Sequence, residues 1–362
     1  MGSVLKRYKR LFEIAKGVDA AVIINSGSQD PNFHYLTGFN SGLFENSILI
    51  AKRKGAYLLT YALEYQDAEK QKFPGLRAIE ITKESKEAGK ILAKEIKGKR
   101  IGMNGSFLPF AYYDSINKRH KPKKIVDISS DLTKVRMIKD KEEISSIRKA
   151  VKVTKMAMAL IQGHFTEGIT ERELAGRFDS ISGELGSEGP SFDTIVCFGS
   201  NAALPHHSPD STKLKKGDII LIDAGAKAEK YCSDITRSFI FKKKNSSDYQ
   251  RKKEMYDTVK QAQALAIKAI KTGVPLSSIH KIAADYIDTK DNGMYKGKFI
   301  HALGHSLGIE VHDGPGFSPG YDKIMTEEGM VITVEPGIYI KGFGGIRIED
   351  DILITERGAV IL

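Results

Sequence analysis

A chain of 362 residues is longer than one small core needs, and its 41% hydrophobic and 28% charged residues are ordinary globular usage, which excludes wholesale disorder, collagen and a disulfide-stapled miniature. Lys and Arg number 56 against 45 for Asp and Glu, a net charge of +11 that by itself selects no partner. The two cysteines, Cys197 and Cys232, are too few for a disulfide framework and far from any CxxC spacing, so the expected compartment is the cytoplasm and nothing points to a thiolate metal site.

Residues 1–16 interleave charged and apolar residues at helical spacing, which predicts a surface helix in place of a signal peptide. No window reaches the roughly 20 consecutive apolar residues of a membrane span. Short apolar runs at 20–25, 47–51 and 56–60 predict strands, and helices are expected at 62–72 and 83–96. A strand at 100–103, a helix at 109–118 and a strand at 124–128 complete an α/β alternation. The pattern then changes, and we place a domain boundary near residue 129, dividing the chain into 1–128 and 129–362. From Asp131 through Gln162 the sequence reads as helix almost throughout. Further helices are expected at 170–185, where Thr170-Glu-Arg-Glu173 offers a capping box, and at 247–271 and 276–289.

A repeated strand pair marks the second part. Gly217-Asp-Ile-Ile-Leu-Ile-Asp223 and Gly329-Met-Val-Ile-Thr-Val-Glu335 each end an apolar run on an acid. Each run turns and returns, first through Tyr231–Phe241 carrying Asp234, then through Gly345–Ile354 carrying Glu349. Helix, helix, hairpin, twice over, predicts an internal pseudo-repeat whose hairpins form one antiparallel sheet clothed by helices, an α+β arrangement.

A carboxylate at the apolar end of a buried strand costs several kcal/mol unless a cation neutralises it. Arg237 and Arg347 lie close in sequence to Asp234 and Glu349, so structural salt bridges are one reading. The histidines weigh against it: five of the nine fall in His206-His207 and in His301-Ala-Leu-Gly-His305-Ser-Leu-Gly-Ile-Glu-Val-His312. His301 and His305 imitate a zincin helix, but position 302 is Ala where HExxH needs its Glu base, and Gly304 and Gly308 weaken a helix there. Four carboxylates and one imidazole instead suit two divalent ions about 3.5 to 4 Å apart, with charges that balance. Oxygen-rich ligation with one nitrogen and no sulfur favours Mn²⁺, Co²⁺ or Zn²⁺ over a thiolate-loving ion without choosing among the three; the expectation carried forward is Mn²⁺ or Co²⁺, with Zn²⁺ compatible.

Five separated motifs, Ile222-Asp-Ala-Gly-Ala226 with Tyr231-Cys-Ser-Asp-Ile-Thr-Arg237, Gly304–His312, Thr333-Val-Glu-Pro-Gly-Ile-Tyr339 and Gly345-Ile-Arg-Ile-Glu-Asp350, resemble in order those of the Xaa-Pro peptidases of the pita-bread metallopeptidase family. Upstream, Asn32-Phe-His-Tyr-Leu-Thr-Gly-Phe39 resembles the creatinase-like N-terminal domain of that family, and Arg136-Met-Ile-Lys-Asp140 its interdomain region. Such an N-terminal domain separates the chain from short methionine aminopeptidases. The resemblance implies that Asp223, Asp234, His305, Glu335 and Glu349 are the metal ligands, with Asp234 and Glu349 bridging two ions. All five are present, unlike in pseudo-catalytic relatives and the metal-independent creatine amidinohydrolases of the same fold. It further implies that His206 and His312 flank the scissile peptide and that Arg347 helps hold the substrate carboxylate, a role that can coexist with pairing to a nearby acid; Glu335 is our choice to accept the proton of the attacking water. His207 is out of phase and reads as structural, as does Arg237.

Proline selectivity in short peptides and a homodimer come from the same resemblance. An Xaa-Pro dipeptidase is the reading we carry forward, with aminopeptidase P acting on longer peptides as the alternative. Gly316 in His312-Asp-Gly-Pro-Gly-Phe317 stands where many dipeptidases of the family have a basic residue, and Asn201-Ala-Ala-Leu-Pro-His206 looks like the microbial prolidases. A non-catalytic binding protein is disfavoured: the lysines at 121–124, 213–216, 242–244 and 252–253 are scattered and Trp is absent, so neither nucleic acid nor membrane is an expected partner. No GxxxxGK[ST] or strand-borne GxGxxG supports a nucleotide enzyme.

Overall fold

The computed structural model describes residues 3–27, 30–82, 86–242 and 247–362, and it divides into two compact units, Met1–Arg136 and Met137–Leu362. The start of the helix expected from residue 83 lies outside the described residues, as do Met1, Gly2, Lys243 and Lys244.

The first unit is an α/β sandwich. Helix α1 (Ser3–Ile14) buries Val4, Tyr8, Leu11 and Phe12 on one face, as its helical spacing of apolar residues requires. Strand β1 (Ala20–Asn25) is buried along its whole length, the mark of a strand covered on both faces. It sits inside a six-stranded sheet of order β4-β3-β2-β1-β5-β6, whose other members are β2 (Ser47–Lys52), β3 (Gly55–Tyr61), β4 (Leu76–Ile81), β5 (Arg100–Met103) and β6 (Lys124–Asp127). Pairing is antiparallel between β1, β2 and β3 and parallel elsewhere. Helices α3 (Ala62–Gln71), α4 (Lys86–Ile96) and α5 (Phe110–His120) connect the strands, and α6 (Ser129–Met137) follows. A short helix, α2 (Pro31–Thr37), precedes β2; Asp30 caps it, Pro31 opens it and Gly38 closes it at a φ of 68°, the left-handed geometry that glycine takes without strain. Neither α2 nor β4 has an apolar period long enough to be read from sequence.

The helix expected over 131–162 is two helices. Lys139 N–H bonds Gly329 O, leaving the helical path, and Asp140 then caps α7 (Lys141–Leu160) in a capping box with Glu143. Local caps override a continuous helical pattern here. Helix α8 (Glu171–Glu184) starts at the expected box, with Thr170 as its cap.

Strands β7 (Ile195–Phe198), β8 (Ile219–Ala224) and β11 (Ile235–Ile240) form one antiparallel ladder, with β9 (Lys227–Ala228) and β10 (Tyr231–Cys232) at its hairpin tip. After α9 (Ser247–Ala269) and α10 (Leu276–Thr289), strands β12 (Val331–Val334), β15 (Asp350–Thr355) and β16 (Gly358–Ile361) form a second ladder, and β13 (Gly337–Ile340) and β14 (Gly344–Arg347) a ribbon. The pseudo-repeat therefore makes separate ladders where one continuous sheet was expected. Pro336 has no N–H to donate, and the chain leaves β12 there for the ribbon, so β12 pairs with 350–355 while 344–347 pair with β13. Alternation along the strands supplies two cores. Ile219 and Leu221 with Ile332 and Val334 pack under Val259 and Ala266 of α9 and Ile279 and Ala283 of α10. Ile220 and Ile222 with Val331 and Leu353 pack with Ile147 and Val151 of α7 and Leu174 and Phe178 of α8. Among the described residues no helix is long and apolar enough to cross a membrane.

Candidate metal centre

The acids expected from the sequence stand at strand ends, where the ladders stop and side chains can face one another. Asp223 lies near the end of β8 opposite Thr236, Asp234 immediately before β11, Glu335 immediately after β12, and Glu349 between β14 and β15. His305 comes from the loop before β12 and is tied to that strand by two hydrogen bonds: its N–H donates to Thr333 Oγ1 at 3.1 Å, and Thr333 N–H donates to His305 O at 2.9 Å. The approach is close enough that a Cβ on Gly304 would lie 1.8 Å from Thr333 O, so only glycine fits there.

Ligand atoms of Asp234, His305 and Glu349 all lie within 4.8 Å of one another. His305 Nε2 is 3.4 Å from Asp234 Oδ2 and 3.6 Å from Glu335 Oε1. Asp223 lines a common cavity with these residues, outside that group of three; its Oδ2 accepts Arg347 Nη2 at 2.6 Å while Oδ1 has no partner. Asp234 Oδ1 and Glu349 Oε1 are likewise buried without a hydrogen-bond partner. Neither Asp234 nor Glu349 is paired with Lys or Arg among the described residues. Arg237 instead donates to Glu349 O at 2.5 Å and pairs with Asp350 at 2.6 Å, so it braces the backbone and leaves the site carboxylates without a second cation.

Electrostatics follow from this crowding. Burial, and then the carboxylates of Glu349 and Asp223, hold Asp234 well above the ordinary carboxylate range. Glu349 is raised by burial and then by Glu335 and Asp223. Burial lifts Glu335 from 4.5 to about 8, with Arg347 opposing and Asp223 adding to the rise. Burial lowers His305 to about 4, helped by neighbouring His312, and so keeps its imidazole neutral and able to ligate. Four buried acids facing one arginine cannot all ionise without further positive charge. Orphaned carboxylate oxygens beside a neutral imidazole are the donor set that a pair of divalent cations satisfies. The residues present fit that cofactor.

The centre opens into a cavity of about 490 Å³ whose wall includes Phe192, Ile195, His206, His301, Val311 and His312. The His305 and His312 rings are 4.1 Å apart. His206 and His207 both line the cavity, and His207 also places its Nε2 2.8 Å from Glu171 Oε2. Arg347 is buried, donating from Nε to Thr236 Oγ1 at 3.1 Å and from Nη1 to Tyr339 OH at 2.9 Å besides its bond to Asp223. Two members were missed from the sequence. His301 lines the cavity, and its Nε2 meets Tyr339 OH at 2.8 Å, extending the chain from Arg347. The signal was its position four residues before His305, a spacing we read only as a broken zincin helix.

The family model described as metallopeptidase family M24 matches residues 145–356, and the one described as the creatinase/prolidase N-terminal domain matches 6–138. The chain is 35% identical to the Xaa-Pro dipeptidase of Pyrococcus horikoshii over 358 residues, covering 98% of this chain and 95% of that one. Among solved structures it resembles the Xaa-Pro dipeptidase from Bacillus anthracis, with a TM-score of 0.88, 28% identity and coverage of 99% and 97%. It also resembles the X-Pro aminopeptidase from Thermotoga maritima, with a TM-score of 0.87, 31% identity and coverage of 96% of each chain.

Proposed function

The chain belongs to metallopeptidase family M24, with a creatinase-type N-terminal domain and a pita-bread catalytic domain, and we propose that it is an Xaa-Pro dipeptidase, hydrolysing the bond before proline in short peptides. The observation that carries this reading is the cavity of about 490 Å³ floored by buried acids with partnerless oxygens, in a chain that matches an Xaa-Pro dipeptidase along nearly its whole length. That volume suits a small ligand, and the wall sets apolar side chains such as Phe192, Ile195 and Val311 beside the acids and histidines.

In this proposal Asp223, Asp234, His305, Glu335 and Glu349 would hold two divalent ions. When bound, the ions supply Lewis acidity and stabilise charge that develops on a scissile amide. Glu335 Oε accepts a proton from the attacking water and returns it to the prolyl nitrogen, a role worth roughly 10²- to 10⁴-fold. Lowered by burial and then by neighbouring His206, His312 is neutral near pH 7, and it donates a hydrogen bond to the developing oxyanion. His206, which also lines the cavity, orients the substrate. The Arg347 guanidinium has five N–H groups, of which three are engaged within the protein; the remaining two can meet the substrate carboxylate. His301 and Tyr339 hold Arg347 in place.

The finer readings belong to the same proposal: Mn²⁺ or Co²⁺ as the ions, with Zn²⁺ compatible, residues 129–362 as the catalytic half, a homodimer, and a cytoplasmic home that suits two buried free cysteines. The test is cleavage of the Xaa–Pro bond, read as release of the free N-terminal residue, from Met-Pro and from Xaa-Pro-Yaa-Zaa by protein stripped of metal and reloaded with each ion. A kcat/KM at least roughly tenfold higher for Met-Pro, about 1.4 kcal/mol of discrimination, is expected. Equal cleavage of both points to aminopeptidase P, and no release of the N-terminal residue with any ion rejects the reading.

A further inference from the structure

We infer that Glu171 is a positioning residue for His206, clamping the segment 198–210 that carries this histidine into the cavity; the inference rests on the role given to His206 above. Glu171 is the first residue of α8, directly after its cap Thr170. Its side chain is fully buried, and a buried carboxylate persists only where donors surround it. Its Oε1 accepts Phe198 N–H at 2.7 Å and Asn201 Nδ2 at 3.0 Å. Its Oε2 accepts His207 Nε2 at 2.8 Å and Asp210 N–H at 3.1 Å.

These donors are placed tellingly. Phe198 and Asp210 stand at the two ends of the segment, and His207 is the neighbour of His206. The far end is stitched to the same helix start, because Glu171 N–H donates to Thr212 O at 3.1 Å, Arg172 N–H to Asp210 O at 3.2 Å, and Thr212 N–H to Asp210 Oδ1 at 2.6 Å. His206 itself is exposed toward the cavity and, among the described residues, makes no side-chain hydrogen bond or ion pair, so its place is set by its backbone. Glu171, His207 and Asp210 also lie within metal-ligand reach of one another. Each Glu171 oxygen already accepts two donors, however, which fills its lone pairs; the cluster is a clamp.

The test uses the full chain loaded with Mn²⁺ and Met-Pro as substrate. His207→Ala removes one of the four donors, and a misplacement of about 1 Å predicts a fall in kcat/KM of roughly tenfold to a hundredfold, chiefly in kcat, with metal content unchanged. His207→Gln, whose amide can donate to Glu171, should recover most of the loss. In a His206→Ala background, His207→Ala should cost less than about a further threefold, because residues acting as one unit are not additive. Glu171→Gln should follow the same cycle, and amide exchange should quicken over 199–210 in both single variants. Additive losses, unchanged exchange over 199–210, or full activity in both His207→Ala and Glu171→Gln would overturn the inference. Full activity in His206→Ala would instead remove the role of His206, and the clamp's purpose with it. If Glu171→Gln does not fold, as judged by circular dichroism, the His207 variants carry the test alone.

Discussion

Loading stripped protein with divalent ions at pH 7 should drive protons into the buffer, and the structure sets how many. With Glu335 lifted to about 8, its protonated fraction at pH 7 is about 0.9, whereas an ordinary glutamate is protonated well under about 1% of the time. Asp234 and Glu349 are also raised, and the acids titrate as a coupled group. Ions that ligate ionised carboxylates must displace these protons, so at least about 0.9 proton per chain is expected. Calorimetric titration with Mn²⁺ in buffers of different ionisation enthalpy reads that number as a slope. The sign on stability is fixed too. A carboxyl whose folded value is raised contributes stability that is complete below its unfolded value of about 4.5 and is lost as pH rises through about 8, at up to roughly 1.4 kcal/mol per pH unit per proton. The melting temperature of chelator-treated protein should therefore fall relative to the loaded protein between pH 5 and pH 8. A calorimetric slope of zero at pH 7 would show the acids already ionised without metal, and the argument from their burial would fail.

Three further outcomes follow from single contacts. His312→Ala should lower kcat by roughly 10²-fold, the scale of one lost oxyanion donor, with both metals retained; unaltered turnover would remove His312 from the mechanism. Gly304→Ala drives a Cβ to 1.8 Å from Thr333 O and should displace His305, so that metal content measured by mass spectrometry drops in whatever protein still folds. Lys139 Nζ lies 3.2 Å from Asp313 Oδ2, with both side chains buried. Lys139→Met removes the cation facing that carboxylate and should destabilise the chain by about 3 to 5 kcal/mol in denaturant unfolding, the cost of breaking a buried pair.

The amino-acid order by itself marked most of the long helices and apolar strands and the residues that can carry charge chemistry. A continuous apolar run ending on an acid places Asp223 and Glu335 at strand ends, and Thr170 with Glu173 announces the start of α8, because these signals are local and a few residues suffice to express them. The order of motifs likewise marks Asp234, His305 and Glu349 as partners of those acids. Tertiary structure alone decided who neutralises whom. Arg237 and Arg347 sit at similar offsets from an acid in the sequence, yet one braces Asp350 and the Glu349 backbone while the other reaches Asp223 from a different ladder. His301 and Tyr339 entered the site, and β12 found its partner at 350–355, through strand register and the swing of the chain at Pro336. Pairing of charges across distant segments depends on distances of a few ångströms that only packing sets, and a pattern read along one chain holds no such distances.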